Sequence, residues 1–150
     1  MLFLIENSSL TANGSQLCMD YHDGKYGVNT DPQRGADTFI PFKSNAGLSI
    51  VKEQNGWITN AYGQDKLSYT SDKSEDVSLF VSVCTRDQRY SVYFYIDING
   101  EKVVTTEQKY YQNLLKTLSL TKDDKLDITV LSGNPDTASF HTCYNILITH

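Results

Sequence analysis

Apolar and polar residues alternate with a period of two along Val77 to Thr106, VSLFVSVCTRDQRYSVYFYIDINGEKVVTT, and this alternation predicts three consecutive antiparallel strands. Val77, Leu79, Val81 and Val83 fall on one face of the first strand, with Ser78, Phe80, Ser82 and Cys84 on the other. In the second strand Val92, Phe94, Ile96 and Ile98 point one way and Ser91, Tyr93, Tyr95 and Asp97 the other, with β-branched and aromatic side chains forming the inward set. Asn99-Gly100 tolerates the positive φ of a type I′ turn, so Tyr90 to Ile98 should fold straight back onto Glu101 to Thr106. This meander sets a fold class and performs no chemistry.

The remaining segments extend the pattern. Glu6 to Ser15 is small and polar with a turn signal at Asn13-Gly14, and Leu17 to Tyr21 reads as a short strand. His22 to Ala36 reads as irregular, with turns at Asp23-Gly24 and Asp31-Pro32 and no core of its own. Asp37 to Phe42 looks extended, and Pro41, which lacks a ladder donor and holds Ile40 in the β or polyproline region, suits an edge. Gly47 to Lys52, Trp57 to Ala61 and Lys66 to Thr70 are short strand candidates separated by turn chemistry at Glu53 to Gly56 and Tyr62 to Asp65, and a charged loop, Ser71 to Asp76, leads into the meander.

After the meander, EQKYYQNLLKTLSL carries two patterns. Tyr110, Tyr111, Leu114, Leu115 and Leu118 have the spacing of one helical face, whereas Thr117 to Leu120 alternates, which together predict a helical turn followed by a strand. Lys122 to Lys125 makes a turn, Leu126, Ile128 and Val130 mark a further strand, Ser132 to Thr137 is a loop, and Phe140 to Thr149 closes with Tyr144, Ile146 and Ile148 on one face. Roughly nine or ten short strands, each with one apolar face, need a second sheet as cover. The expected fold is all-β: an antiparallel β-sandwich over residues 45–150, preceded by an irregular anchoring segment over residues 1–44.

Composition narrows the partners. The chain has 150 residues, enough to bury one core, with 39% hydrophobic and 21% charged residues, which is too apolar for disorder. Its formal net charge of -5 is spread along the sequence without a Lys/Arg cluster, which argues against nucleic acid as a partner. Met1 to Ile5 is too short an apolar run, without a basic leader, for a signal peptide or a membrane span, and reads as a short strand or an anchoring tail. Cys18, Cys84 and Cys143 are odd in number and widely spaced, so buried thiols and folding in a reducing cytosol are expected rather than a disulfide framework.

Candidate chemistry is sparse. His141 lies two residues from Cys143, so a strand would turn both side chains to one face, but no nucleophile-elbow or papain-like context surrounds them and no catalytic residue is assigned. His150 reads as a solvated end. Asp72, Glu75 and Asp76 in one loop and Asp123 with Asp124 in another lack the regular spacing of a calcium loop, and Gly24, Gly27 and Gly35 lack the strand-to-helix setting of a phosphate cradle. No metal site and no cofactor is expected. Tyr93 and Tyr95, outward on their strand, and Tyr110 and Tyr111, between Lys109 and Gln112, are the candidates for a subunit interface or a glycan contact, because both tasks need apolar area with a polar handle. Trp57 is expected in the core.

From about Gly47 onward, SVYFYIDINGEKVV, TLSLTKDDKLDITV and CYNILITH resemble the jelly-roll heads of the tumour-necrosis-factor and complement-globular-head type, with Asp123 where such heads place Gly before the turn Asp. The resemblance implies a jelly roll and, as is general for such heads, a homotrimer. HDGKYGVNTDPQRGADTFIPFK resembles a segment of structural proteins of tailed bacteriophages and prophages of gut bacteria. The two resemblances together imply a non-enzymatic virion accessory protein, made in the host bacterial cytoplasm and placed on the virion surface. As a capsid decoration protein or head-fibre tip it would meet the major capsid or tail protein through its N-terminal segment. The alternative they imply is a carbohydrate- or receptor-binding module of a phage tail or fibre that recognises a host surface glycan.

Overall fold

Val92 to Thr105 folds as its alternation requires. Asn99 and Gly100 take φ of 54° and 82°, the left-handed pair that closes a tight hairpin between β7 (Val92–Ile98) and β8 (Glu101–Thr105). The computed structural model describes residues 18–29, 32–41, 49–58, 62–85, 91–107, 111–132 and 142–150. The other described elements are β1 (Cys18–His22), β2 (Lys25–Asn29), a 3-10 helix (Pro32–Thr38), β3 (Phe39–Pro41), β4 (Ile50–Ile58), β5 (Gln64–Thr70), β6 (Glu75–Thr85), β9 (Tyr111–Leu120), β10 (Lys125–Ser132) and β11 (Thr142–Thr149).

Two four-stranded antiparallel sheets, ordered β4-β11-β6-β9 and β5-β10-β7-β8, form the sandwich. Along the chain β4, β6, β9 and β11 go to one sheet and β5, β7, β8 and β10 to the other, which is the strand order of a jelly roll. The expected three-stranded meander is therefore broken. β6 pairs with β11 and β9, and β7 pairs with β10 and β8, so the chain crosses between sheets from β6 to β7. The physical reason lies in the alternation itself: Val77, Leu79, Val81 and Val83 meet Val92, Phe94 and Ile96 across the core instead of lying beside them in one sheet.

Two further segments differ from expectation. β9 is one strand from Tyr111 to Leu120, without a helical turn. Leu114, Leu118 and Leu120 serve its inner face, while Leu115 lies opposite Phe80 on the outer one, so the apparent helical stripe was the sum of two strand faces. β4 runs unbroken through Glu53 to Gly56. Gly56 pairs with Tyr144 on β11, and a Cβ at Gly56 would come within 3.4 Å of the Tyr144 hydroxyl, so the ring covers the space that the glycine leaves. Gln54 Nε2 donates to the Tyr144 hydroxyl at 3.1 Å, and burial pushes that phenol up to about 12.

Residues expected to be irregular are drawn into a third sheet, ordered β1-β2-β3, with Asp23-Gly24 as its hairpin turn and Pro41 on its edge strand. Gly27 lies opposite Pro41, where a Cβ would come within 2.7 Å of the Pro41 Cα, so the close approach of β2 and β3 requires glycine. β1 packs against β11 and β6. Accordingly Phe80, Ser82, Cys84, Cys143, Asn145 and Leu147, which face away from the core, are all buried. Cys84 is disulfide-bonded, against the expectation of thiols throughout, and Cys143 keeps its thiol. The Met1 to Ile5 strand or tail lies outside the described residues.

At one end of the sandwich the turns are tied by polar groups. Asn99 Nδ2 donates to Asp124 Oδ1 at 2.8 Å, and its own Oδ1 accepts from the Lys125 amide at 2.9 Å. The Thr121 amide, Asn99 and the Thr121 hydroxyl hold the Asp124 carboxyl below its ordinary value. Nearby, Glu75 has a nearly buried carboxylate that accepts from Tyr69 at 3.1 Å and Ser71 at 2.8 Å and sits 2.8 Å from His150 Nε2. Burial opposes its charge, yet the hydrogen bonds from Ser71, His150 and Tyr69 outweigh burial and lower its pKa. His150 is thus a paired residue rather than only a solvated end. A carboxyl with a depressed folded-state pKa contributes stability above its unfolded pKa and loses it as pH falls through the folded one. Unfolding midpoints in urea should therefore drop as pH falls below about 4, and Glu75→Gln should flatten that drop. An unchanged slope would show that Glu75 does not supply it.

Candidate functional site

The outer face of the β5-β10-β7-β8 sheet gathers side chains that its register sets in cross-strand rows. Tyr95 is paired with Thr129 on β10 and Thr105 on β8, and Thr129 in turn with Lys66 on β5. Asp97 is paired with Asp127 and Lys102, and Asp127 with Ser68. Tyr93 is paired with Leu131, and Leu131 with Gln64. Because Val92, Phe94 and Ile96 are locked in the core, the alternating Tyr93, Tyr95 and Asp97 must project outward, as the sequence pattern implied. Tyr93 and Tyr95 are half-buried and stand two residues apart on one strand, about 7 Å along it.

The polar groups on this face are ordered by one another. Asp127 is only 8% exposed, accepts from Ser68 Oγ at 2.5 Å, and has the Lys66 and Lys125 ammonium groups at 3.8 and 3.9 Å. Lys102 Nζ sits 4.5 Å from the centroid of the Tyr95 ring, a cation–π contact of about 0.5–1 kcal/mol at an exposed site. The face therefore combines two aromatic rings with carboxylate, ammonium and hydroxyl groups on a rigid sheet. Such a surface can stack an apolar ring face and hydrogen-bond its polar edge.

Other residues singled out in the sequence that the structure describes lie elsewhere. Tyr111 opens β9, an edge strand of the opposite sheet, and Tyr110 and His141 lie outside the described residues. Tyr111 thus belongs to a different sheet from Tyr93 and Tyr95. Trp57, expected in the core, is 42% exposed on edge strand β4, where Gln54 and Ile58 take the inner positions. Tyr62, in the β4–β5 connection with φ of 55°, is 67% exposed. Its place in a turn segment was the signal for that exposure; for Trp57 the alternation alone does not decide which of the adjacent Trp57 and Ile58 faces inward. A cleft of about 480 Å³ lies between Ser74, Glu75 and Asp76 on one side and Ser119, Leu120 and Thr121 on the other. Its carboxylates are taken by the chain's own donors, Asp76 by Ser119 at 2.6 Å and Glu75 as above. Among the described residues no group of three or more His, Cys, Asp and Glu could hold a metal ion, and no described helix is long and apolar enough to cross a membrane.

No family model matches the sequence, and no curated protein matches it. Among solved structures, the C-terminal domain of EclA, a sugar-binding protein, is similar at a TM-score of 0.45 and 10% identity, over 86% of this chain and 97% of that one. A family 35 carbohydrate-binding module from an environmental isolate is similar at a TM-score of 0.43 and 9% identity, over 71% and 90%. The C-terminal CBM6 of LamC from Zobellia galactanivorans is similar at 0.36 and 12%, over 90% and 89%. Likeness at these levels carries no argument about what this chain binds. The class of protein is defined by the strand order itself, an antiparallel jelly-roll β-sandwich.

Proposed function

We propose that the chain is a non-catalytic binding module that recognises an oligosaccharide on the outer face of the β5-β10-β7-β8 sheet. The observation that supports this reading is the alignment of Tyr93 and Tyr95 on one strand, flanked by Lys66, Lys102 and Asp97. A pyranose has apolar C–H faces and a rim of hydroxyls. Stacking on tyrosine buries the first, and charged side chains accept from and donate to the second. A sheet face already ordered by the core loses little conformational freedom on binding, so a few contacts suffice for weak recognition of a repeated sugar. The test is a glycan array probed with the labelled full chain: binding to a defined set of oligosaccharides is expected, and an array without signal above a denatured control would remove the reading.

A second reading keeps an assembly role on a phage particle. It is supported by the resemblance of residues 22–43 to virion structural proteins and by Ile40, which is 57% exposed on edge strand β3 of the small sheet. An apolar residue on an unpaired edge suits docking to another protein. Under this reading the full chain sediments with empty capsids and a chain lacking residues 1–44 does not. Sedimentation of neither leaves the glycan reading alone.

A further inference from the structure

The outer face of the β5-β10-β7-β8 sheet carries a charge pattern that stacking on tyrosine does not require. Lys66 on β5, Lys125 on β10 and Lys102 on β8 project from it together with Asp97 and Asp127. Among the described residues, the strands of this face thus turn out three ammonium groups against two carboxylates, on a chain of formal net charge -5. Depth separates the signs. The Asp127 side chain is nearly buried, with Oδ1 engaged by Ser68 and Oδ2 by both Lys66 and Lys125, whereas those two lysine side chains are half-exposed. An approaching solute therefore meets ammonium before it meets the Asp127 carboxylate. At 3.8 and 3.9 Å the lysines balance Asp127 without spending their N–H donors on it, because a hydrogen bond would need about 2.7–3.2 Å. Charges beyond about 8 Å are largely screened at physiological salt, so a bound anion responds to this local excess rather than to the net charge of the chain.

We propose that this face selects an acidic oligosaccharide, whose sugar rings stack at Tyr93 and Tyr95 while its carboxylate or sulfate substituents are held by the flanking lysines. The inference rests on the oligosaccharide reading and narrows its ligand. Strand order places Lys102 on one side of β7 and Lys66 with Lys125 on the other, so a saccharide lying across Tyr95 meets ammonium on both sides. Lys66, Thr129, Tyr95 and Thr105 form one cross-strand row, which supplies hydroxyls between the charges. Lys102 favours the anion most directly. Its ammonium covers the Tyr95 ring at 4.5 Å, so a sugar that stacks on that side must displace it. An uncharged pyranose forfeits the cation–π contact. A carboxylate or sulfate takes up the displaced ammonium in a charge-assisted hydrogen bond, the stronger interaction of the two.

A glycan array that carries acidic and uncharged oligosaccharides side by side tests this on the full chain. Binding is expected only to those bearing carboxylate or sulfate, and it should weaken as sodium chloride is raised. Two arms separate the anions: the carboxyl groups of a bound uronate are reduced to alcohols, and a bound sulfated sugar is desulfated. The arm that removes the recognised anion should cost at least about tenfold in affinity by titration calorimetry. Lys66→Gln with Lys102→Gln should weaken the acidic ligand by a similar factor and leave its uncharged derivative bound as the parent binds it. Lys73→Gln with Lys116→Gln removes the same charge from the β5–β6 connection and the opposite sheet, and should bind the acidic ligand as the parent does. Uncharged oligosaccharides bound as tightly as acidic ones, or equal losses from the two lysine pairs, would overturn the selection for charge and leave the oligosaccharide reading standing. Inorganic polyphosphate bound as tightly as the acidic sugar would overturn it as well. An array without any bound sugar would overturn both.

Discussion

Phe94→Ala should destabilise the chain by about 3–5 kcal/mol, read as a lower urea midpoint with an unchanged slope. Phe94 is 1% exposed and leads the fully buried side chains by volume. It projects from β7 into a core built from both sheets, among Val81, Val83, Ile128, Val130 and Ile146. Removing the ring takes away its transfer free energy and leaves a cavity that two hydrogen-bonded sheets cannot collapse to fill. Since single domains are typically stable by only about 5–15 kcal/mol, this substitution should rank among the most damaging in the chain. The Thr106 hydroxyl, which receives the Phe94 amide at 3.0 Å, is retained in the variant, so the loss reports packing and not the backbone bond.

The second large effect is on binding and should leave folding almost untouched. Tyr93→Ala with Tyr95→Ala is expected to weaken the oligosaccharide identified on the array by at least about 30-fold, equivalent to about 2 kcal/mol, as titration calorimetry would read it. Both rings lie on the solvent side of β7, so their loss opens no cavity in the core and should shift the urea midpoint far less than Phe94→Ala. Lys102→Ala separates the stacking from the charge. Because its ammonium lies over the Tyr95 ring, a moderate change confined to affinity is expected, without loss of fold. A double variant that folds and binds as the parent does would exclude these rings as the platform.

Much of this was legible in the chain because period-two alternation reports which face is buried without regard to the neighbour. Val77 to Val83 and Val92 to Ile98 gave their inner faces correctly, and the outward position of Tyr93 and Tyr95 followed from the same rule. Alternation does not report pairing. A hairpin and a crossover to the opposite sheet bury the same residues, so β6 and β7 read as neighbours when they face each other across the core. The helical spacing in β9 arose because residues four apart share a face in a strand as they do in a helix, and only the β6 ladder along its whole length separates the two. Gly56 read as a turn because the Tyr144 ring that fills its place comes from β11, far along the chain. The state of Cys84 was illegible for the same reason: an odd cysteine count leaves pairing to tertiary placement. Trp57 shows the limit for single apolar residues, since an edge strand can leave a large ring on its outer side.

The most direct test of the proposed recognition surface is a heteronuclear NMR titration of the full chain with an oligosaccharide from the array. Saturating shifts at Tyr93, Tyr95, Lys66, Lys102 and Thr129, with the core amides of β6 and β11 unmoved, are the predicted result. Shifts confined to Trp57 and Tyr62, or to the Ser74–Asp76 cleft, would contradict it and place the binding site elsewhere on the sandwich.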